Sequence, residues 1–278
     1  MKKKKDIVSL QQIKDVLYSL YNNHGLFIVY FTFGEPLLSP YFGDISQYCD
    51  SLGLIQILMT NGSLIDSQSI ETIKNNHIAK TYISLDSSIP EQHDKNRNFE
   101  GAYNLAINAL IKLKKAGANC GIATTINDCN VDQLYDIKKI GTDIGVDSLS
   151  VLRERKNGRI VDLNNLPVYL SFIQEYLQQE VNTKVPNLFL HDPTIRPFLN
   201  KLYIDGIISQ LTYEKYYDMN SCHRLNTLSL EPNGIVSHCN LVQNQIGNLF
   251  TSTIDEILQM ECDNNEYPFC CPCLSWTS

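Results

Sequence analysis

The sequence predicts an α/β fold in which helices cover a parallel sheet or barrel, followed by a small cysteine-rich tail. Short apolar runs alternate with amphipathic segments through residues 1–155. The runs are apolar on both faces, which is typical of strands in a sheet that helices cover. Six of the nine cysteines lie from Cys222 onward. In a cytosolic chain such crowding indicates a metal or iron–sulfur site more than a disulfide framework.

Five predicted strands alternate with predicted helices over the first part of the chain. The strands are residues 26–33, 54–60, 81–86, 119–126 and 148–152. The clearest helices are residues 10–23, which Ser9 can cap, residues 99–116, which Gly117 ends, and residues 131–144, which end near Gly145. This alternation produces right-handed βαβ units, and therefore a parallel sheet or barrel.

Other parts of the chain depart from this alternation. Because the chain opens with a helix, the apolar strand at 26–33 would lie at an uncovered sheet edge, and we expect a further segment in front of it. Residues 159–220 lose the strict alternation and are predicted to form a mainly helical connection. In the tail, Asn233-Gly234 between two apolar runs predicts a β-hairpin.

Composition and charge exclude several classes of function. The 278 residues are 43% hydrophobic and 19% charged, which is ordinary for a globular protein. The net charge of −7 argues against a nucleic-acid groove, which needs a basic surface. No stretch approaches the ~18 apolar residues of a membrane helix, and the basic start at 1–5 is not followed by the apolar core of a signal peptide. We therefore predict a cytoplasmic protein that binds neither nucleic acid nor membrane.

Polar residues follow three of the predicted strands. The segment FTFGEP (31–36) ends the first strand with a glycine, which lets a ligand approach the backbone, and with Glu35, which would face the ligand side of the sheet. MTNGSL (59–64) and ISLDS (83–87) place further polar side chains after the next two strands. Each segment alone is consistent with an ordinary turn, but three polar strand ends in register indicate a binding site.

These segments resemble, in order and spacing, the signatures of the radical S-adenosylmethionine (SAM) enzymes. The resemblance covers about residues 8–155 and continues through HDKNRNFEGAYNLAINALIKLKKAG (93–117) and TTINDCNVDQL (124–134). It implies an incomplete radical-SAM (β/α)6 partial barrel that lacks its first strand. The tail resembles the small auxiliary-cluster module of the SPASM or twitch type. The implied domains are the partial barrel at 1–158, a helical connecting insert at 159–220 and the auxiliary module at 221–278.

The resemblance also implies which residues bind SAM. The family's GGEP motif, which meets the methionyl amino group of SAM, matches Gly34 and Glu35. The resemblance places Thr60 and Asn61 at the mouth of the site and Ser84 and Asp86 on the ribose side. It places Ile126 and Asn127 on the adenine side, and Arg153 near the SAM carboxylate or the substrate. In the HDxxR pattern of His93, Asp94 and Arg97 we favour a structural hydrogen-bonding role over a catalytic pair.

Two departures from the family pattern bear on activity. Phe33 replaces the first glycine of GGEP, so a bulkier residue stands there. The sequence also contains no CxxxCxxC motif, which in the family supplies three thiolates to the [4Fe–4S] cluster that cleaves SAM. We therefore expect that this chain cannot start radical chemistry. It is either a fragment of a longer enzyme, with Met1 an internal methionine, or a complete chain that now binds a peptide or partner without catalysis.

The cysteine spacing of the tail resembles that of the family's auxiliary module. The implied metal ligands are Cys222, Cys239, Cys270 and Cys273. Two thiolate pairs joined by a hairpin suit one auxiliary [4Fe–4S] cluster, which we favour, or a tetrahedral zinc site. A zinc-stabilised α/β binding domain unrelated to SAM is therefore a further alternative.

The function that the resemblance implies is that of a radical SAM oxidoreductase or maturase. Enzymes with such a tail commonly abstract a hydrogen atom from a peptide or small metabolite and use the auxiliary cluster to take up an electron. The implied cofactors are SAM and the auxiliary [4Fe–4S] cluster, and an electron-donor protein is a further expected partner. The sequence assigns no catalytic residue.

Overall fold

A parallel sheet forms the centre of the computed structural model, which describes residues 7–156, 159–179, 186–219, 228–238 and 245–263. Its six strands are β1 (Ile28–Phe31), β2 (Ile55–Thr60), β3 (Lys80–Ser84), β4 (Cys120–Ile126), β5 (Ser148–Arg153) and β8 (Asn187–His191). Between β5 and β8, the strands β6 (Arg155–Lys156) and β7 (Arg159–Ile160) form a separate hairpin. The six strands pair in the order β1-β2-β3-β4-β5-β8, with every neighbour parallel. The sheet is therefore curled into a half barrel, and the predicted α/β fold class is confirmed.

Helices flank the strands, and those between the strands of the half barrel cover the convex side of the sheet. The helices are α1 (Leu10–His24), α2 (Phe42–Ser51), α3 (Ser67–Asn75), α4 (Pro90–Arg97), α5 (Ala102–Lys115), α6 (Leu134–Ile144), α7 (Leu166–Gln179), α8 (Arg196–Ile204), α9 (Gln210–Met219) and α10 (Ile254–Asp263). The predicted caps of α1 and α6 are confirmed: the Ser9 hydroxyl accepts a hydrogen bond from the Gln12 N–H, and Gly145 ends α6 at φ +79°.

The main core lies between the sheet and these helices. Ile83, Ile122 and Val151, on three successive strands of the sheet, are fully buried in it. Because side chains alternate along a strand, the residues between them face the concave side of the half barrel. Tyr82 and Phe189 meet there edge to face, with ring centroids 6.5 Å apart. The concave face is thus the side on which a ligand can be held.

Strand β8 is the main element that the sequence pattern misses. The pattern of residues 159–220 predicts a helical connection, whereas β8 adds a sixth strand beside β5, with Leu149 paired to Leu188. The apolar run of β8 is short and lies between Pro186 and Pro193, which makes it look like a loop. Its strand conformation depends on hydrogen bonds to β5, which are distant in sequence.

A small antiparallel sheet follows the half barrel. It consists of β9 (Ser229–Leu230), β10 (Ile235–Ser237) and β11 (Gln245–Asn248), paired in the order β11-β10-β9. Gly234 at φ +81° turns the chain between β9 and β10, which confirms the predicted hairpin. The predicted metal ligands Cys222, Cys239, Cys270 and Cys273 lie outside the described residues.

Helix α10 holds this small sheet against the half barrel. Ile254 and Ile257 of α10 are buried together with Val236 of β10, and apolar residues of α1 pack against them. The Asp255 carboxylate accepts hydrogen bonds from the Ser19 hydroxyl at 2.6 Å and pairs with His24 Nε2 at 2.8 Å. The two parts are therefore joined through α1. No helix in the described part of the chain has the length and hydropathy needed to span a bilayer.

A substitution at Gly121 tests how tightly the concave face is packed. A Cβ at this position would lie 2.4 Å from Ser148 Oγ and 2.8 Å from Tyr82 Cε1. We expect Gly121→Ala to lower the free energy of unfolding by about 1–3 kcal/mol, measured by urea denaturation. Gly43→Ala in α2 is the control, because its nearest neighbour would be 4.0 Å away and alanine favours a helix by about 0.5–1 kcal/mol. Equal effects of the two substitutions would contradict this account.

Candidate functional site

A cavity of about 610 Å³ opens at the carboxyl ends of strands β1 to β5. This is the edge at which open parallel sheets bind ligands, and the volume lies within the range of small-molecule sites. The polar part of the wall consists of Thr32, Thr60, Asn61, Ser63, Ser84, His93, Arg97 and Thr125. The apolar part includes Phe33, Met59, Phe99, Leu105 and Leu152. The cavity therefore offers hydroxyl groups and one cation beside apolar surface.

Glu35 joins the first two strand ends. Its carboxylate accepts hydrogen bonds from the Thr60 hydroxyl at 2.7 Å, the Asn61 N–H at 2.8 Å and the Leu37 N–H at 3.2 Å. A carboxylate has about four acceptor positions, so most of the capacity of Glu35 is used within the protein. Glu35 lies behind the wall and positions Thr60 and Asn61, which belong to the wall.

The turn after β1 has an unusual backbone. Phe33 and Gly34 both adopt the left-handed conformation, at φ +64° and φ +62°. A Cβ on Gly34 would meet nothing within 4 Å, so space is open beside the backbone there. Phe33 is 60% exposed and carries a bulky side chain in a conformation that favours glycine. Phe33, which stands at the position of the first glycine of GGEP, thus has the left-handed backbone conformation that is typical of glycine.

Asp86 organises the wall on the other side of the cavity. Its Oδ2 lies 2.6 Å from Arg97 Nη2, and its Oδ1 accepts a hydrogen bond from the Thr125 N–H at 2.9 Å. The Asp86 N–H donates to His93 Nδ1 at 3.2 Å. Asp86 itself is nearly buried, whereas its partners Arg97, Thr125 and His93 line the cavity. This carboxylate, like that of Glu35, positions the groups that face a ligand.

Arg97 and His93 are the strongest polar groups of the wall. Arg97 Nε is buried and has no hydrogen-bond partner, so one donor of a lining guanidinium is unused. Burial lowers the pKa of His93 below its ordinary value, so the ring is neutral at pH 7. Because Nδ1 accepts from Asp86, the proton of the neutral ring is on Nε2.

The three residues of the HDxxR pattern do not all have only the predicted structural role. Asp94 is structural: its carboxylate accepts the N–H groups of Gly101 at 2.6 Å and Tyr103 at 2.8 Å at the start of α5. These hydrogen bonds lower the pKa of Asp94. His93 and Arg97 combine structural contacts with a place in the cavity wall.

The structure brings together four of the SAM-binding candidates and separates the others. Gly34, Thr60, Asn61 and Ser84 lie in one wall. Ile126 is fully buried in the core, and Asn127 forms a turn in which its N–H donates to the Asn130 side chain at 2.8 Å. Neither of them is part of the wall.

Arg153 is also outside the cavity wall. It is buried, with Nη1 at 3.3 Å from Asp192 Oδ2 and 2.9 Å from the Thr194 hydroxyl, and Nη2 donates to the Val161 carbonyl. Its charge therefore serves an internal ion pair between β5 and the end of β8. A contact of Arg153 with SAM or substrate stays a prediction.

The sequence reasoning did not assign several wall residues to the site, among them Met59, Phe99, Thr125 and Leu152. For Thr125 and Leu152 a signal existed: each is next in the chain to a buried residue, so the alternation of a strand turns it toward the concave face. Phe99 carries no such signal, because its place depends on how the loop after α4 folds over the sheet.

The wall suits SAM, whereas the described residues do not suit an iron–sulfur cluster. The Arg97 guanidinium and the hydroxyl groups have the chemistry to bind a carboxylate and a ribose, and the apolar wall has the chemistry to bind an adenine. No group of three His, Cys, Asp or Glu side chains in the described ranges could hold a metal ion. Cys49 and Cys120 are buried thiols whose pKa burial raises to about 12. Cys129 is exposed, because it lies in the turn after β4.

The strain at Phe33 can be measured. A bulky residue in the left-handed conformation costs about 1–2 kcal/mol, so we expect Phe33→Gly to be at least as stable as the wild type in urea denaturation. Phe33→Ala removes the same ring but keeps a Cβ, and it should be less stable than Phe33→Gly by roughly 1 kcal/mol. If the alanine variant were the more stable of the two, the backbone would not be strained.

The chain is similar in sequence to curated enzymes. An AdoMet-dependent heme synthase from Oleidesulfovibrio alaskensis is 29% identical over 156 residues, which cover 56% of this chain and 40% of that protein. The antilisterial bacteriocin subtilosin biosynthesis protein AlbA from Bacillus subtilis is 28% identical over 151 residues, covering 51% of this chain and 32% of AlbA. The matched region is thus less than two thirds of the length of either relative.

The fold is similar to that of a solved structure. Streptococcus suis SuiB bound to S-adenosylmethionine superimposes with a TM-score of 0.68 at 17% identity, over 91% of this chain and 58% of SuiB. The radical SAM superfamily model matches residues 1–139, which are half of the 278 residues. Proteins of this superfamily bind SAM and an iron–sulfur cluster. The chain belongs to the radical SAM superfamily.

Proposed function

We propose that the cavity at the carboxyl ends of β1 to β5 binds SAM, and that the chain is part of a radical SAM enzyme of the oxidoreductase or maturase type. The observation that supports this most is that Gly34, Thr60, Asn61 and Ser84, from three separate strand ends, line one cavity. Reductive cleavage of bound SAM supplies a carbon radical that abstracts hydrogen atoms.

The residues of the wall would divide the work of binding. Arg97 would donate to a carboxylate or ribose oxygen, and its ion pair with Asp86 would hold it in place. The hydroxyl of Ser84 would donate to the same polar part of the ligand, while the open space beside Gly34 would admit the ligand to the backbone. The apolar wall would exclude water from the adenine.

The substrate class is a peptide or a small metabolite. AlbA is named for the biosynthesis of a bacteriocin, and SuiB has also been solved bound to the precursor peptide SuiA. The heme synthase is named for a small-molecule product. Both kinds of relative agree with the oxidoreductase or maturase type. An electron-donor protein as partner and a cytoplasmic location stay predictions from the sequence.

The domain division proposed from the sequence is retained. Residues 1–158 would form the partial barrel, 159–220 the connecting insert that also contributes β8, and 221–278 the auxiliary module. Cys222, Cys239, Cys270 and Cys273 would hold the auxiliary [4Fe–4S] cluster. The small sheet that α10 holds against α1 supports this division, because it has its own buried cluster.

Two alternatives remain distinct from this proposal. In the first, the chain binds a peptide or partner without catalysis; the lack of a CxxxCxxC motif in the sequence supports this alternative. In the other, the tail holds zinc and the chain is a binding domain. Metal content separates the zinc alternative from the proposal, and formation of 5′-deoxyadenosine would reject the non-catalytic alternative.

SAM binding is tested by equilibrium dialysis with the purified chain. We expect saturable binding of SAM, which Arg97→Gln weakens by about tenfold or more because a charge-assisted hydrogen bond is lost. Ser84→Ala should also weaken binding, and it leaves the ion pair of Asp86 intact if Arg97→Gln proves unstable. Lys139→Gln is the control, since Lys139 is 77% exposed on α6. No binding to the wild type, or unchanged binding to both cavity variants, would reject the proposed site.

The auxiliary cluster is tested by anaerobic reconstitution. We expect the chain to hold iron and acid-labile sulfide in equal amounts, and the variant with Ser at positions 222, 239, 270 and 273 to hold neither. Cys129→Ser, which removes an exposed thiol, should bind both as the wild type does. The reconstituted chain should form no 5′-deoxyadenosine from SAM. Zinc without sulfide would favour the zinc alternative, and 5′-deoxyadenosine would show that the chain does start radical chemistry.

A further inference from the structure

A fully buried asparagine connects two of the strand ends that border the cavity. Asn130 lies in the turn after β4. Its Nδ2 group donates to the Asp86 carbonyl at 2.6 Å and to the Thr125 carbonyl at 2.9 Å. Asp86 follows β3, and Thr125 lies near the end of β4. One side chain therefore bridges the backbones of both strand ends.

The amide of Asn130 is fully used. Its Oδ1 accepts the Asn127 N–H at 2.8 Å, while both N–H donors of Nδ2 have a carbonyl partner. These partners also fix which way the amide points, because a carbonyl oxygen can only accept and an N–H can only donate. A buried amide is tolerated when its donors and acceptor are paired in this way. The turn, the β3 end and the β4 end are thus held by one group.

The two residues that Asn130 holds are bonded to each other and to the cavity wall. Asp86 Oδ1 accepts the Thr125 N–H at 2.9 Å, and Asp86 Oδ2 lies 2.6 Å from Arg97 Nη2. Thr125 and Arg97 line the cavity, whereas Asn130 and Asp86 lie behind its wall. Asn130 therefore fixes the backbone of Asp86, and the side chain of Asp86 fixes Arg97.

A second amide at the same turn has different partners. Gln133 is also buried, and its Oε1 accepts the Ser87 hydroxyl at 2.6 Å and the Ser88 N–H at 3.0 Å. Neither serine is part of the cavity wall. The hydrogen bonds of Gln133 hold the loop that leads to α4, whereas those of Asn130 reach Asp86 and a residue of the wall.

We infer that Asn130 is a positioning residue of the proposed SAM site. By holding the carbonyl groups of Asp86 and Thr125 together, its amide sets the place of the Asp86 carboxylate and thereby that of the Arg97 guanidinium. The inference rests on the proposed function, because this positioning matters for SAM only if the cavity binds SAM. Asn130 does not line the cavity, so its effect on a ligand passes through Asp86 and Arg97.

Asn130→Ala tests the inference by equilibrium dialysis of the full chain with SAM. We expect SAM to bind about tenfold more weakly than to the wild type, because two backbone carbonyls lose their common donor and the Asp86 carboxylate is no longer fixed under Arg97. Asn130→Ser removes the amide but keeps a small polar side chain, and it takes the place of the alanine variant if that variant does not fold. Unchanged binding would show that Asn130 positions nothing the ligand needs.

Gln56→Ala is the matched control for a general loss of stability. Gln56 is also a fully buried amide: its Oε1 accepts the Ser46 hydroxyl at 2.7 Å, and its Nε2 donates to the Asn76 carbonyl at 2.8 Å. It faces α2 and α3 on the convex side of β2 and is not in the cavity wall. Gln56→Ala should lower the urea midpoint much as Asn130→Ala does, yet bind SAM as the wild type does.

A double-mutant cycle tests whether the effect passes through Arg97. If it does, the variant with both Asn130→Ala and Arg97→Gln should bind SAM about as weakly as Arg97→Gln alone, because the group that Asn130 positions is already missing. Fully additive losses from the two substitutions would mean that Asn130 acts by another route, and the inference would be wrong.

Hydrogen exchange of the Thr125 N–H, followed by NMR without SAM, reports the same positioning directly. This N–H donates to Asp86 Oδ1, so it should exchange about tenfold faster in Asn130→Ala than in Gln56→Ala. Equal exchange in the two variants, or unchanged SAM binding to Asn130→Ala, overturns the inference alone when the wild type binds SAM. A wild type that does not bind SAM overturns the proposed function, and the inference with it.

Discussion

The alternation of side chains in the parallel strands is the constraint on which the rest of the structure depends. One face of each strand must be buried against helices, as Ile83, Ile122 and Val151 are. The opposite face then has no helix to cover it, and it becomes the wall of the half barrel. The ligand-facing residues are therefore chain neighbours of core residues: Ser84 adjoins Ile83, and Thr125 adjoins Ile126. A shift of one residue in any strand would exchange core and site.

Two carboxylates organise the site without belonging to its surface. Glu35 accepts hydrogen bonds from Thr60 and Asn61, and Asp86 holds Arg97 and the backbone of Thr125. The Glu35 carboxylate connects the ends of β1 and β2, and the Asp86 carboxylate connects the loop after β3 with α4 and β4. The wall therefore depends on contacts between elements that are separate in sequence. Glu35 and Asp86, which lie in family motifs, thus hold their neighbours in place, while Thr60, Ser84 and Arg97 line the cavity.

Among the described residues, the groups proposed to bind SAM are present, whereas a site for a cluster is not. The cavity, its hydroxyl groups and its lining guanidinium are present, and the turn after β1 keeps its left-handed backbone even with Phe33. No set of side chains able to hold a cluster occurs in the described ranges. The superfamily membership rests on residues 1–139, which contain strands β1 to β4 of the half barrel.

The sequence by itself determined the α/β class, the five strands β1 to β5, the cap at Ser9, the hairpin at Gly234 and four of the wall residues. These features depend on local periodicity, turn chemistry and motifs, which a sequence carries directly. Only the tertiary structure decided that β8 is a strand, that Arg153 pairs with Asp192, and that Arg97 and His93 line the cavity. Each of these depends on contacts between residues far apart in the chain, and the free energy of such contacts has no signature in local sequence.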